Sequence, residues 1–515
     1  MTLSRSLRLA LWLWPLAMVA LGLVYMTIPP SPDQSQFDWM AFIATRGMPF
    51  YTGSFDMNWP GSIWLNEAGV RLFGVHAWTW RLTDFLLMLG FTLAGWLFLS
   101  QGGWRSAGLV FVLLYPPLYV TAGPWMAGQR DIIAAGFLLT ACAASMPGGR
   151  AEAVRVVLAG LLVAAAVLIR PTYLSFLVGL IVLEALPLTR RRPRCLRRSA
   201  RAMAMLAGFA LGIAAAVAAG LMLGNLDDWY EQSVLFTLSV YVGSWPQDPM
   251  VTLFSTFLGS WHWISLLGLV GLVLWVWRYR ADHGLVLVLG IVATAAVSFA
   301  VQGKGFGYHL GGVLLVLVLM ISVGFEALDD LRRTAASALA RGALTAVLVL
   351  CIGLTVTGTA KKLSGLSDNA RVLLAGDLGP HDGWGLTEAE RRTIVEMIRT
   401  DSHPEDRVAL FGTNYDLPYR AKRLPSYRFF TPAADAIAPS FELHDAWLAE
   451  IDAALVARRP AFAIIAREWI EGPAVAPQAA DGGGPILARL LAHLQTGYKP
   501  VFENETLIVY RDTAP

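Results

Sequence analysis

The stretch PDQSQFDWMAFIATRGMPFYTGSFDMNWPG, residues 32–61, is the part of this chain that departs most from its surroundings. It brings together three acids, Asp33, Asp38 and Asp56, with a dense set of aromatics, Phe37, Trp39, Phe42, Phe50, Tyr51, Phe55 and Trp59. It follows directly on an apolar run at residues 7–28, which is about the length needed to cross a bilayer. The whole connection, residues 29–80, is long for a link between membrane helices. Its aromatics predict interfacial helices folded back on the bilayer surface. For any one acid in such a loop, the ordinary reading is a solvated surface residue.

The composition around that stretch belongs to lipid. The chain has 515 residues, of which 56% are hydrophobic and 15% charged, and its mean hydropathy is +0.54. Soluble domains carry about 25% charged residues. A net charge of +3 is too small for a nucleic-acid partner. The three cysteines, Cys142, Cys195 and Cys351, show no zinc-type spacing, and none lies in the tail beyond residue 358. The basic, apolar N-terminus lacks a small-residue cleavage site, so it is expected to be an uncleaved membrane helix and not a signal peptide.

Outward from the first loop, apolar runs recur with short polar breaks. They predict about eleven membrane spans, at residues 7–28, 82–100, 107–120, 132–145, 154–169, 173–186, 202–223, 263–277, 284–301, 310–325 and 343–358. Residues 250–260 either lie at the interface or extend the helix that follows. With Arg5 and Arg8 placed in the cytoplasm, every inside break is basic: Arg105, then Arg150 and Arg155, then TRRRPRCLRRSAR at 189–201, then Arg278 and Arg280, then Arg332, Arg333 and Arg341. The opposite breaks, 29–80, 115–130, 225–249 and 302–309, are acidic or aromatic. Two domains are expected: a transmembrane domain over 1–358, and a tail over 359–515 on the outer, periplasm-like side. In that tail, helix-like runs (387–400, 444–458, 486–496) alternate with strand-like runs (407–412, 461–466, 506–510), which predicts a small α/β domain. Residues 482–484 read as a flexible loop.

Polar residues that face the same side as the first loop are the candidates for chemistry. Gln129, Arg130 and Asp131 sit where a chain re-enters the membrane. They read either as a helix start with an interfacial arginine or as a functional group, since an acid at membrane depth is expensive. In QGKGFGYHL, residues 302–310, Lys304 and His309 flank glycines and aromatics. They read as a snorkelling lysine or as a phosphate clamp, whose glycines let backbone approach closely. Arg170 either reaches the same phosphate or anchors the interface. The run at 190–201 is read as a topology determinant on anionic lipid.

The pattern PDQSQF, RGMPFYTG, FDMNWPG, RLFG and WRLTDF resembles the first loop of GT-C glycosyltransferases. It is most similar to the glycosyltransferase family 39-like branch that holds protein O-mannosyltransferases and the lipid A aminoarabinose transferase. The resemblance implies a mostly α, polytopic membrane fold with a C-terminal outer α/β domain, and a polyprenyl-phosphate sugar as donor. Asp33 matches the family's catalytic base, and Gln34 stands where the family often has Glu. Asp56 matches a second acid that organises the site, in some members through a divalent metal. Here Asp56 and His309 are the residues that would hold such an ion. Asp131 matches an acid near the carrier phosphate, and Lys304 a lysine and aromatic cluster. Asp38 is left as an expected surface residue.

The expected reaction is inverting transfer of a sugar to an envelope glycan, lipid or protein at the outer face of a bacterial-type inner membrane. Asp33 acts as base, and Lys304, Arg130 and Arg170 meet the donor phosphate. Two alternatives belong to other classes. A transporter or flippase predicts internal repeats and midplane breaks, which the sequence lacks. A membrane sensor or assembly protein explains the outer domain but leaves the first-loop acids idle.

Overall fold

The computed structural model describes residues 5–148, 151–185, 197–242, 247–279, 282–377, 382–471 and 484–513. Arg150, Arg280, Cys195, most of the basic run at 189–201 and the loop reading at 482 and 483 lie outside the described residues. Each of the eleven apolar runs contains a helix. Six helices are long and apolar enough to cross a membrane by themselves: Thr79–Gly102, Glu152–Ile169, Arg198–Leu223, His283–Gln302, Gly307–Thr334 and Ala338–Ser364. The bent pair Pro249–Ser260 and His262–Arg278 makes a seventh candidate, and Leu13–Met26, Arg105–Val120 and Pro171–Leu183 are shorter apolar helices. The chain is a multi-pass membrane protein. Residues 250–260 do not extend the helix after them, because the two axes meet at 89°.

The chain forms two compact units, one of Met1–Tyr25, Asp84–Ala216 and Gln247–Asp377, the other of Met26–Thr83, Val217–Pro246 and Leu378–Pro515. The first is the helical bundle. A methyl group on Gly160 would collide with the Met205 carbonyl oxygen, and one on Gly271 with that of Met320, so these helices cross backbone to backbone. Small residues at the crossing allow that approach, which is how helices gain packing energy in lipid. At one end of the bundle, buried Arg201 pairs with Glu152 and donates to the Ser145 carbonyl at 2.6 Å. On Ala338–Ser364 only Cys351 and Thr355 are buried, as expected for a helix surrounded by lipid tails.

The second unit is built on a five-stranded sheet of β1 (Arg407–Phe411), β2 (Leu424–Pro425), β3 (Pro460–Ala466), β4 (Tyr498–Glu503) and β5 (Leu507–Asp512), in the order β2-β1-β3-β5-β4. β1 runs parallel to β2 and β3, whereas β5 is antiparallel to both β3 and β4. The apolar runs of β1 and β3 suit strands covered on both faces. Helices Glu388–Thr400, His444–Ala457 and Pro485–Leu494 accompany the sheet, the first starting with a Thr387/Glu390 capping box. Asp435 caps the last, accepting from the backbone N–H groups of Gly484 at 2.9 Å and Ile486 at 2.6 Å.

The long first connection belongs to this same unit. Helix Pro32–Thr45 packs on the sheet's helix Asp416–Ala421. Its Trp39 donates to the Arg423 carbonyl at 2.9 Å, and its ring lies 4.3 Å from that of Phe430. Trp384 donates to the Pro30 carbonyl at 2.7 Å.

Candidate active site

Asp33 stands on the first turn of helix Pro32–Thr45 and is half-buried. A reciprocal cap fixes that turn. The Ser31 hydroxyl accepts from the Gln34 N–H at 3.4 Å, and Gln34 Oε1 accepts from the Ser31 N–H at 3.1 Å. An amide closes this box as well as a carboxylate does, which gives Gln34 a physical role where a glutamate is often found. The amides at the start of the helix favour negative charge on this turn.

Asp56 is completely buried and tightly held. Its Oδ1 accepts from the Asn58 backbone N–H and side-chain amide, each at 2.6 Å, and its Oδ2 accepts from Gln36 Nε2 at 3.1 Å. Gln36 lies three residues after Asp33, on the same side of the helix. The Asp56 N–H donates to Gln232 Oε1 at 3.0 Å, and Gln232 Nε2 donates to the Tyr51 carbonyl at 2.7 Å. Tyr51 has φ 66°, a left-handed backbone that few bulky residues adopt. Its hydroxyl donates to the Asn58 carbonyl at 2.8 Å, and its ring stacks on Trp229 at 6.3 Å. Gln232 and Trp229 thus hold the Tyr51–Asn58 turn in the shape that presents Asp56.

Tyr415 completes this group. Its hydroxyl bonds to Thr431 Oγ1 at 3.3 Å. Burial pushes the phenol well above its usual range, and the charges of Asp33 and Asp56 push it further. Both carboxylates therefore act on one phenol. Tyr415, Gln36, Asn58 and Gln232 are not among the candidates that the sequence offers. The Asp-x-Asn spacing at 56–58 carries a signal, because an Asx side chain commonly bonds the backbone two residues on. Nothing in the local sequence of Gln232 does.

Asp38 is not a surface residue. It is 2% exposed, and Oδ1 accepts from Asn66 Nδ2 at 3.0 Å. Burial pushes its carboxyl up to about 7, against the opposing pull of Asn66 and Arg81. It lines a small cavity with Trp384, Arg391, Asp416, Tyr419 and Arg420. The helix is buried all round from Gln34 to Ile43, so Asp38 is enclosed along with Trp39 and Phe42.

The bundle carries the other candidates. Asp131 and Arg170 are buried and face each other, with Arg170 Nε donating to Oδ1 at 3.0 Å and a terminal nitrogen to Oδ2 at 2.8 Å. The Tyr173 hydroxyl donates to the Asp131 carbonyl at 3.0 Å. Lys304 is buried on the short connection after helix His283–Gln302, and burial pulls its ammonium down to about 8. Gly305 beside it has φ 65°, and a side chain there would press on the Gln247 carbonyl oxygen. His309 is buried and packs edge-on to Tyr308 at 4.6 Å. Its Nδ1 meets no hydrogen-bond partner among the described residues. Arg170, Arg130 and Lys304 all bear electrostatically on its ring, so four nitrogen-bearing side chains gather here, with Asp131 gripping Arg170. Such a cluster is suited to a phosphate.

No group of three or more His, Cys, Asp or Glu side chains among the described residues is placed to hold a metal ion, and both Asp56 oxygens accept N–H hydrogen bonds.

No protein-family model matches the sequence, and no curated protein matches it. Solved structures do. ArnT from Cupriavidus metallidurans bound to undecaprenyl phosphate superposes with a TM-score of 0.61 at 14% identity, over 97% of this chain and 97% of that one. Its apo state gives 0.61 at 13% identity, over 98% of both chains. The oligosaccharyltransferase of Archaeoglobus fulgidus reaches 0.49 at 10% identity, over 88% of this chain and 69% of that one.

Proposed function

The chain has the fold of ArnT, a GT-C fold, and from that premise we propose a membrane glycosyltransferase that moves a sugar from a polyprenyl-phosphate carrier to an envelope glycan, lipid or protein. The observation that carries the reading is the pairing of Asp33, on a capped and half-buried helix start, with Asp56, fixed by Gln36, Asn58 and Gln232. A half-buried carboxylate on a capped helix start and a fully buried, hydrogen-bonded one, both acting on Tyr415, separate the two tasks of moving a proton and holding a shape. The undecaprenyl phosphate bound to ArnT supports the same class of carrier here.

Asp33 takes the proton of the acceptor hydroxyl as its oxygen attacks the anomeric carbon from the face opposite the phosphate. The bond from that carbon to the phosphate oxygen breaks, the configuration inverts, and polyprenyl phosphate leaves. Lys304 and Arg130 stabilise the charge growing on the phosphate, as donors fixed in advance do in a water-poor site. Arg170 joins them, and Asp131 acts as the positioning residue that holds it. Asp56 organises the base's surroundings, and no step runs through a metal ion. The basic breaks support a cytoplasmic N-terminus and a periplasmic C-terminal domain in a bacterial-type inner membrane.

Mass spectrometry of envelope glycans and lipids from a strain lacking the gene tests this reading. A sugar that disappears and returns on re-expression is expected. An unchanged envelope would contradict the proposal.

A further inference from the structure

Within the bundle unit, helix Pro249–Ser260 meets helix His262–Arg278 at 89°. The latter exposes Leu266, Leu269, Val273 and Val276 on one side, as a lipid-facing helix does. With residues 263–277 as the span that the sequence predicts, a helix at a right angle to it runs along the plane of the membrane. Its N-cap is Asp248, whose carboxylate accepts from the Met250 and Val251 N–H groups at 2.8 and 3.3 Å. From 249 to 260 there is no charged residue. Met250, Val251, Phe254 and Leu258 are 55, 63, 58 and 69% exposed. Their spacing of one and two turns puts them on one face, while Thr252, Leu253, Thr256 and Phe257 turn toward the protein.

The protein-facing side is tied to the connection that carries Lys304. Thr252 Oγ1 donates to the Gly305 carbonyl at 2.5 Å, and the Gln247 N–H donates to the Lys304 carbonyl at 2.9 Å. We infer that helix Pro249–Ser260 docks by its Met250, Val251, Phe254 and Leu258 face into the interfacial layer of the lipid leaflet, and that this docking holds the Lys304 connection in place. The lipid surface is the fitting occupant because the apolar face is continuous with a membrane-crossing helix and bears no charge.

The inference stands apart from the proposed activity, and spin-label accessibility tests it directly. With the native cysteines replaced by alanine, labels are placed at Phe254→Cys and Leu258→Cys in lipid nanodiscs. Leu269→Cys serves as a mid-helix lipid reference and Glu505→Cys as an aqueous one. The oxygen-to-nickel-complex accessibility ratio at 254 and 258 is expected to be several-fold above that at 505 and below that at 269. A ratio equal to that at 505 would overturn the docking, and a ratio at or above that at 269 would replace it with insertion into the bilayer core. The tie to Lys304 is read by amide hydrogen exchange of residues 303–307. Exchange there is expected to rise in Phe254→Asp/Leu258→Asp, and also in Thr252→Val, which removes only the bond to Gly305. Unchanged exchange in both variants would overturn the tie.

Discussion

Arg170 grips Asp131 with two parallel hydrogen bonds, at 3.0 and 2.8 Å, and both residues are buried. A fork-to-carboxylate pair of this kind is strong in place, but its partners are costly to separate. Arg170→Met should therefore destabilise the protein by about 3–5 kcal/mol, because it strands a buried carboxylate. Adding Asp131→Leu to that variant should restore much of the loss. Thermal unfolding of both variants in one detergent checks this, and equal melting points for the single and double variants would refute it.

Asp38 supplies a pH-dependent prediction. Its folded-state pKa of about 7 lies above the ordinary 3.8, so burial favours the protonated form. Its contribution to stability is fully present below pH 3.8 and is lost as the pH rises toward 7. Asp38→Asn keeps the shape and removes the charge. The variant should melt close to the parent near pH 4 and above it at pH 8, with a gap of up to about 4 kcal/mol. A gap that stays constant with pH would show that Asp38 titrates normally.

Much of this was legible in the residues, for physical reasons that differ by region. Long apolar runs have one stable form in lipid, so each of the eleven contains a helix. In the tail, β1, β3 and β5 carry the apolar pattern of central strands. β2 has only two residues and β4 contains Pro500, so neither announces itself. The proposed carboxylates Asp33 and Asp56 were legible through the first-loop pattern. Gln232 was not, because its role depends on a fold that brings it 176 positions back to Asp56. Asp38 reads as a solvated loop acid because nothing in its local sequence shows that helix Pro32–Thr45 is covered all round by the rest of its unit.

Lys304 titrates near the working range. Below about 8 it is an ammonium, and above that value it is neutral. Binding of undecaprenyl phosphate, measured in nanodiscs, should weaken several-fold between pH 7 and pH 9. Lys304→Arg should stay flat across the same window, since a guanidinium keeps its charge there. The same decline in both proteins would place the titrating group elsewhere.

Gln232 bridges the Asp56 N–H and the Tyr51 carbonyl. Gln232→Ala removes both bonds, each worth about 1 kcal/mol. Restoration of the missing envelope sugar should fall roughly thirtyfold relative to the parent at matched protein level. Gln232→Glu keeps the acceptor for Asp56 and should lose less. Identical yields from the two variants would remove Gln232 from the positioning of Asp56.

The central claim is that Asp33 is the base, and Asp33→Asn tests it most directly. The substitution keeps size and removes the ability to take a proton. Expressed in the strain lacking the gene, at the parent's level in the membrane and with undecaprenyl phosphate binding retained, Asp33→Asn is predicted to leave the sugar absent from envelope mass spectra. Recovery of the sugar to near the parent's level would contradict the account.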